Sequence, residues 1–117
     1  MTASELKYLL AVYRGEQEGG IRQTDIADRL AVARASVARG TECLRAKGLL
    51  CGSEKPLTLS AEGRRLAALY DACARKLRQC VLEQWDVRLS EGQSVAMAAE
   101  LSDAQAQKFA RTDKGEC

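Results

Sequence analysis

The chain contains no histidine, no CxxC pair, no glycine-rich phosphate loop and no apolar run near the ~20 residues that a membrane-crossing helix needs. The missing imidazole removes the commonest general base and the readiest metal ligand. No serine or cysteine stands beside an activating partner, so neither an enzyme nor a small-molecule substrate is expected. The missing apolar run excludes a membrane-spanning helix. Five cysteines (Cys43, Cys51, Cys73, Cys80 and Cys117) are odd in number. The N-terminal TASELKYLL reads as a helix rather than a secretory segment, so the expectation is a reducing, cytoplasmic compartment without a disulfide framework. Net charge is also scarce, at +2 from 18 basic and 16 acidic residues. Only an uneven distribution of that charge could point to a polyanionic partner.

The 117 residues, 46% hydrophobic and 29% charged, suit one modest globular domain with a helical appendage. Thr2 and Glu5 have the spacing of a capping box, and Leu6, Leu9, Leu10 and Tyr13 recur at helical intervals, predicting a helix over 3–17. Gly19 and Gly20 end it. A short helix over 24–30 turns Ile26, Ala27 and Leu30 inward and Asp25, Asp28 and Arg29 outward. After Ala31-Val32, a third helix over 34–47 carries Val37, Thr41 and Leu44 on its inner stripe, and Gly48 stops it. Small Ala27 and apolar Val32 and Val37 suit the crossing of the two helices. These proportions are those of a helix-turn-helix. Gly40, costly inside a helix by about 1 kcal/mol relative to alanine, serves either close packing or a softer helix.

Leu49-Leu50-Cys51 and Pro56-Leu57-Thr58-Leu59 around a Gly-Ser-charged tip read as a β-hairpin, the wing of a winged helix. Ser60 caps a long helix to about Gln84, in which Leu66, Tyr70, Cys73, Leu77 and Cys80 form one stripe. Cys73 and Cys80 are read as buried structural residues, and Glu62, Asp71 and Glu83 as solvated surface charges. Ser90 and Ser102 cap two short helices, about 91–100 and 103–110. The expected fold class is mainly α with a small β-hairpin: a winged helix-turn-helix DNA-binding domain (1–60), then a helical dimerisation region (61–110) and a tail (111–117). Helix one, the far end of the long helix, and Val95, Met97, Leu101 and Phe109 offer an apolar surface for a homodimer.

Between Arg22 and Lys47 lie six basic residues (Arg22, Arg29, Arg34, Arg39, Arg45, Lys47) against three acidic ones (Asp25, Asp28, Glu42). A recognition helix meets the major groove with its N-terminal turns, which places Ala33, Arg34, Ser36 and Arg39 at DNA, with Ala35 and Ala38 small enough for close approach. Arg39 suits a guanine edge, Arg34 a base or phosphate, and Ser36 either. Gln23 and Thr24, at a helix start, and Lys55, at the wing tip, suit phosphates.

The segments YLLAVYRGEQEGGIRQTDIADRL, VARASVARGTECLRAKGLL, LTLSAEGRRLA and AELSDAQAQKF together resemble the diphtheria-toxin-repressor family of iron- and manganese-dependent regulators, in its short form. The resemblance implies a palindromic duplex site, a homodimer, repression, and manganese or iron held between the first helix, the long helix and the next one. The matching positions hold Lys7, Leu10, Ala74, Val95, Ala98 and Ala99, none of them a metal ligand, so no cofactor is expected and the family's metal site reads as lost. The Lys7 ammonium would then stand where the cation sits. The alternatives are a winged-helix interaction and dimerisation adaptor without DNA binding, or a regulator that senses metal or redox state through its cysteines.

Overall fold

The structure is a computed structural model that describes residues 1–51 and 56–111. It is mainly helical, with one small antiparallel sheet, in the order α1 (Ala3–Gln17), α2 (Gln23–Leu30), α3 (Arg34–Ala46), β1 (Leu50–Cys51), β2 (Thr58–Leu59), α4 (Ala61–Trp85), α5 (Glu91–Ala99) and α6 (Asp103–Arg111). The expected wing tip at residues 52–55, and the tail beyond Arg111, lie outside the described residues.

Side-chain caps fix four of the helix starts. In α1 the Thr2 hydroxyl accepts from the Glu5 amide at 3.1 Å while Glu5 accepts from the Thr2 amide at 2.9 Å, which satisfies donors the helix leaves unpaired. Ser60 caps α4, and Ser90–Gln93 and Ser102–Gln105 make the same reciprocal pair before α5 and α6. Gly19 and Gly20 leave α1 with φ of +104° and +124°, a region open to glycine at little cost.

α1 is the hub, with α3, α4, α5 and β2 all packed against it. Its inward face, Leu6, Tyr8, Leu9, Leu10 and Val12, enters one buried cluster that runs from Leu6 to Ala106. The helix-turn-helix half and the helical half thus share a single core. α4 is about 37 Å long at 1.5 Å per residue, in a molecule whose longest extent is 42 Å. All five residues of its expected stripe are buried.

α2 meets α3 through Ala31, Val32 and Ala33. Ala31 takes the left-handed conformation, φ 54° and ψ 47°, and its amide reaches back to the end of α2. Val37 is fully buried at the crossing, but Val32 is 37% exposed, because the left-handed step at Ala31 turns it away from the α2–α3 contact. Its expected place in the crossing is therefore corrected. Gly40 serves close packing: an added Cβ would lie 2.2 Å from Tyr8 Cδ2 and 2.3 Å from Cε2, so the tyrosine ring of α1 rests on the α3 backbone.

β1 pairs with β2 in the register Leu50↔Leu59 and Cys51↔Thr58, burying the leucine pair and exposing the other. The Leu57 amide donates to the Ile21 carbonyl at 2.9 Å, and the Leu59 amide to Glu16 Oε2 at 2.9 Å, which ties the sheet to the α1–α2 connection and to α1.

α5 folds back on α1 and α4, and α6 on α4. Val95 is buried, and Leu101 and Phe109 pack against the core. The Tyr70 hydroxyl latches α6, lying 2.8 Å from Asp103 Oδ1 and 3.1 Å from the Leu101 carbonyl. Of the apolar residues expected to form an open surface, Met97 stays exposed, joined by Trp85 and Val87 at the far end of α4.

Two backbone positions predict stability changes opposite to helix propensity. Gly40→Ala forces the Tyr8 ring aside and lowers stability by about 1–3 kcal/mol, although alanine is the better helix former. Ala31→Gly relieves the left-handed strain and raises stability, by up to about 1 kcal/mol. Urea unfolding followed by circular dichroism measures both.

Candidate nucleic-acid interface

The outward face of α3 is defined by helical geometry. At ~100° per residue, Arg34, Ala38, Ala35 and Arg39 fall in that order over one arc of about 140°. All four are exposed, while Val37, Gly40, Thr41 and Leu44 turn inward. The arginines thus stand at the two edges of the arc with alanines between them. Ser36 lies about 60° beyond Arg39 on the same count and is half-buried, leaning toward the flank of the arc. Ala33 is the exposed N-cap of α3 and supplies no side-chain cap, so the first amides of that helix keep no side-chain acceptor.

The six basic residues of this region divide into two groups. Arg29 pairs with Glu18 at 2.6 Å, Arg45 with Glu42 at 3.2 Å, and Lys47 with Glu5 at 2.8 Å. Arg22, Arg34 and Arg39 are exposed and have no ion-pair or side-chain hydrogen-bond partner among the described residues. Three uncompensated cations therefore lie on the α2 start and the α3 face. Sequence reasoning counted Arg22 without assigning it a contact. Its amide donates to Asp25 Oδ2 at 3.0 Å, and its side chain is left free at the α2 N-cap.

Gln23, at the α2 start, uses its side chain within the protein. Its Nε2 donates to Thr41 Oγ1 at 3.1 Å, and Thr41 in turn donates to the Ala38 carbonyl at 3.1 Å. The side chain is a strut between α2 and α3 and satisfies buried Thr41. Thr24 is exposed at the α2 start, as expected. Lys55 lies outside the described residues.

The positions that the family resemblance assigns to metal do not fit a divalent cation. Leu10, Ala74, Val95 and Ala98 are buried and apolar, Ala99 is half-buried, and Lys7 is exposed. Among the described residues, no group of three His, Cys, Asp or Glu side chains lies together as a ligand set. Arg14 is a second cation at this junction, beside Lys7. Its guanidinium bridges Asp71 of α4, at 2.9 Å, and Glu91 of α5. Arg75 holds the other Asp71 oxygen at 2.5 Å. Burial works against the Arg14 charge, but the hydrogen bond to Asp71 and the field of Glu91 outweigh it and raise the pKa above the ordinary arginine value. Asp71 is thus buried and paired, correcting its reading as a surface charge.

The cysteines divide as well. Cys43 and Cys51 are exposed free thiols, and Cys73 is a buried one whose pKa desolvation pushes up to about 11. A thiol held protonated at neutral pH is unreactive. Cys80 is buried on the same stripe, as expected of a structural residue.

No family model matches the chain, and no curated protein matches it. Among solved structures, a hypothetical protein from Sulfolobus solfataricus is similar over 93% of this chain and 86% of its own, with a TM-score of 0.64 and 18% identity. That likeness shows a shared fold. No helix among the described residues is long and apolar enough to cross a membrane.

Lys47 also has a measurable structural duty. Its hydrogen bond, with those from Thr2, holds the Glu5 carboxyl at about 2, below its ordinary 4.5. A depressed folded-state pKa gives stability that is full above pH 4.5 and is lost as pH falls toward 2. The melting-temperature difference between the wild type and Glu5→Gln is therefore expected to be largest at neutral pH and to shrink between pH 4.5 and 2.

Proposed function

We propose that the protein is a DNA-binding transcriptional regulator of the diphtheria-toxin-repressor type, probing the major groove with α3 and working without the family's metal. The observation that carries this reading is the arc on α3. Arg34 and Arg39 stand uncompensated at its edges, with only alanine between them over the first two turns of the helix, in a chain that neutralises Arg29, Arg45 and Lys47 internally. Small side chains let the helix backbone approach base edges, and two free guanidinium groups meet phosphate or guanine on either side. Arg22 and the open amides at the α2 and α3 starts add phosphate contacts on the same side. Glu42, a turn further along α3, confines the contact to the first two turns.

In this reading the protein is a homodimer on a palindromic site, acts as a repressor and works in the cytoplasm. Trp85, Val87 and Met97 are exposed apolar side chains available for self-association. The fixed guanidinium of Arg14, joining α1, α4 and α5, takes the place of a regulated cation and holds the helices together at all times.

Fluorescence anisotropy with a duplex pool containing the native upstream region, at two salt concentrations, tests the reading. Binding is expected to weaken with salt and to be unaffected by chelator. Arg34→Ala/Arg39→Ala is expected to weaken it at least about thirtyfold, at about 1 kcal/mol or more per arginine, and to flatten the salt slope by about 0.9 for each phosphate that is no longer neutralised. Arg29→Ala, which removes a cation already paired with Glu18, is expected to change affinity less than about threefold, the scale of an exposed ion pair. A double variant that binds like wild type, or binding that requires Mn²⁺, overturns the reading.

A further inference from the structure

A cavity of about 300 Å³ opens between α1, the α2–α3 turn and α5, at the lower end of the volumes that hold small ligands. Leu10, Leu30, Val32 and Val95 form an apolar wall, and Lys7 and Arg14 stand on the charged side beside Arg29 and Glu91. Most of that charge is spent within the protein. Arg14 is bound by Asp71 and Glu91, and Arg29 by Glu18. Lys7 has no hydrogen-bond or ion-pair partner among the described residues. Its ammonium lies beside Gly92 at the start of α5, where an added Cβ would stand 3.9 Å from Lys7 Nζ. The cavity therefore presents one uncompensated ammonium beside an apolar wall that includes exposed Val32.

We infer that this cavity binds a small apolar monocarboxylate, with Lys7 as the charge partner and Leu10, Leu30, Val32 and Val95 around its hydrocarbon part, and that occupancy changes DNA affinity. One free positive charge matches a singly charged anion. A polyphosphate would leave most of its charge unmatched against hydrocarbon, which is costly. The regulatory half rests on the DNA-binding reading above. Leu30 and Val32 flank Ala31, the left-handed residue that sets the direction of α3, so an occupant touching both sides of that turn acts on the helix that would face DNA.

Calorimetric titration of the full chain with 2-naphthoate and octanoate, and with their uncharged amides, tests the binding. The carboxylates are expected to bind saturably, one per chain, and the amides at least about tenfold more weakly, the scale of one charge-assisted contact. Lys7→Ala, at an exposed position that the fold does not need, removes this preference, and Lys7→Arg restores it. No saturable binding at millimolar carboxylate, equal binding of the amides, or an unaffected Lys7→Ala overturns the site. Because this measurement contains no DNA, failure of the DNA-binding reading leaves its outcome unchanged. Repeating the anisotropy titration with saturating 2-naphthoate is expected to shift the dissociation constant severalfold for wild type and not for Lys7→Ala. An unshifted constant in wild type overturns the regulatory half alone.

Discussion

The position of α3 depends on the contact between the Tyr8 ring and the bare backbone at Gly40. Every other residue on the inner face of α3 has a side chain that would hold α1 at a distance. Glycine lets an aromatic ring lie directly on the helix, which fixes both the separation of α1 and α3 and their rotation. Once that contact is set, Val37 and Leu44 fall into the core on either side of it, and the arc from Arg34 to Arg39 has no direction to face except outward. Since α1 also carries α4, α5 and β2, the placement of α3 is referred to the whole domain through one side chain.

Charge in this chain is used mainly for joining elements. Glu16 alone holds the Leu59 amide and Arg64, linking α1 to β2 and α4. Arg14, Asp71, Arg75 and Glu91 join α1, α4 and α5. Such partly buried networks cost desolvation, and they specify a geometry more than they add stability. Among the described cations without an ion-pair or side-chain hydrogen-bond partner, Arg22 lies at the α2 start, Arg34 and Arg39 on the outer face of α3 and Lys7 at the mouth of one cavity, with Lys76, Arg88 and Arg111 elsewhere. The small net charge conceals this partition, since a polyanion would meet a few arginines rather than a basic surface.

Local signals in the sequence were enough to locate the helices. Thr2 with Glu5, Ser60, Ser90 and Ser102 each mark a helix start to within a residue, because a cap is a bond between near neighbours. The inner stripes of α1, α3 and α4 follow from periodicity for the same reason. What was not legible joins distant segments. Asp71 has the spacing of a solvated charge and becomes buried only because Arg14, 57 residues away, arrives beside it. The Gln23 side chain finds Thr41, 18 residues away, and Val32 had an apolar side chain but a turn geometry that periodicity does not encode. The short helices were placed correctly in sequence, yet their apolar residues were assigned to a partner when α1 and α4 had room for them.

The chain's one tryptophan, Trp85, closes α4 with 69% of its surface exposed. An indole so far into water already sits in the environment that unfolding would give it. Its emission is consequently a poor reporter of the core and a sensitive one of anything that settles against the last turn of α4. The protein thus carries a built-in optical probe for encounters at the end of its longest helix.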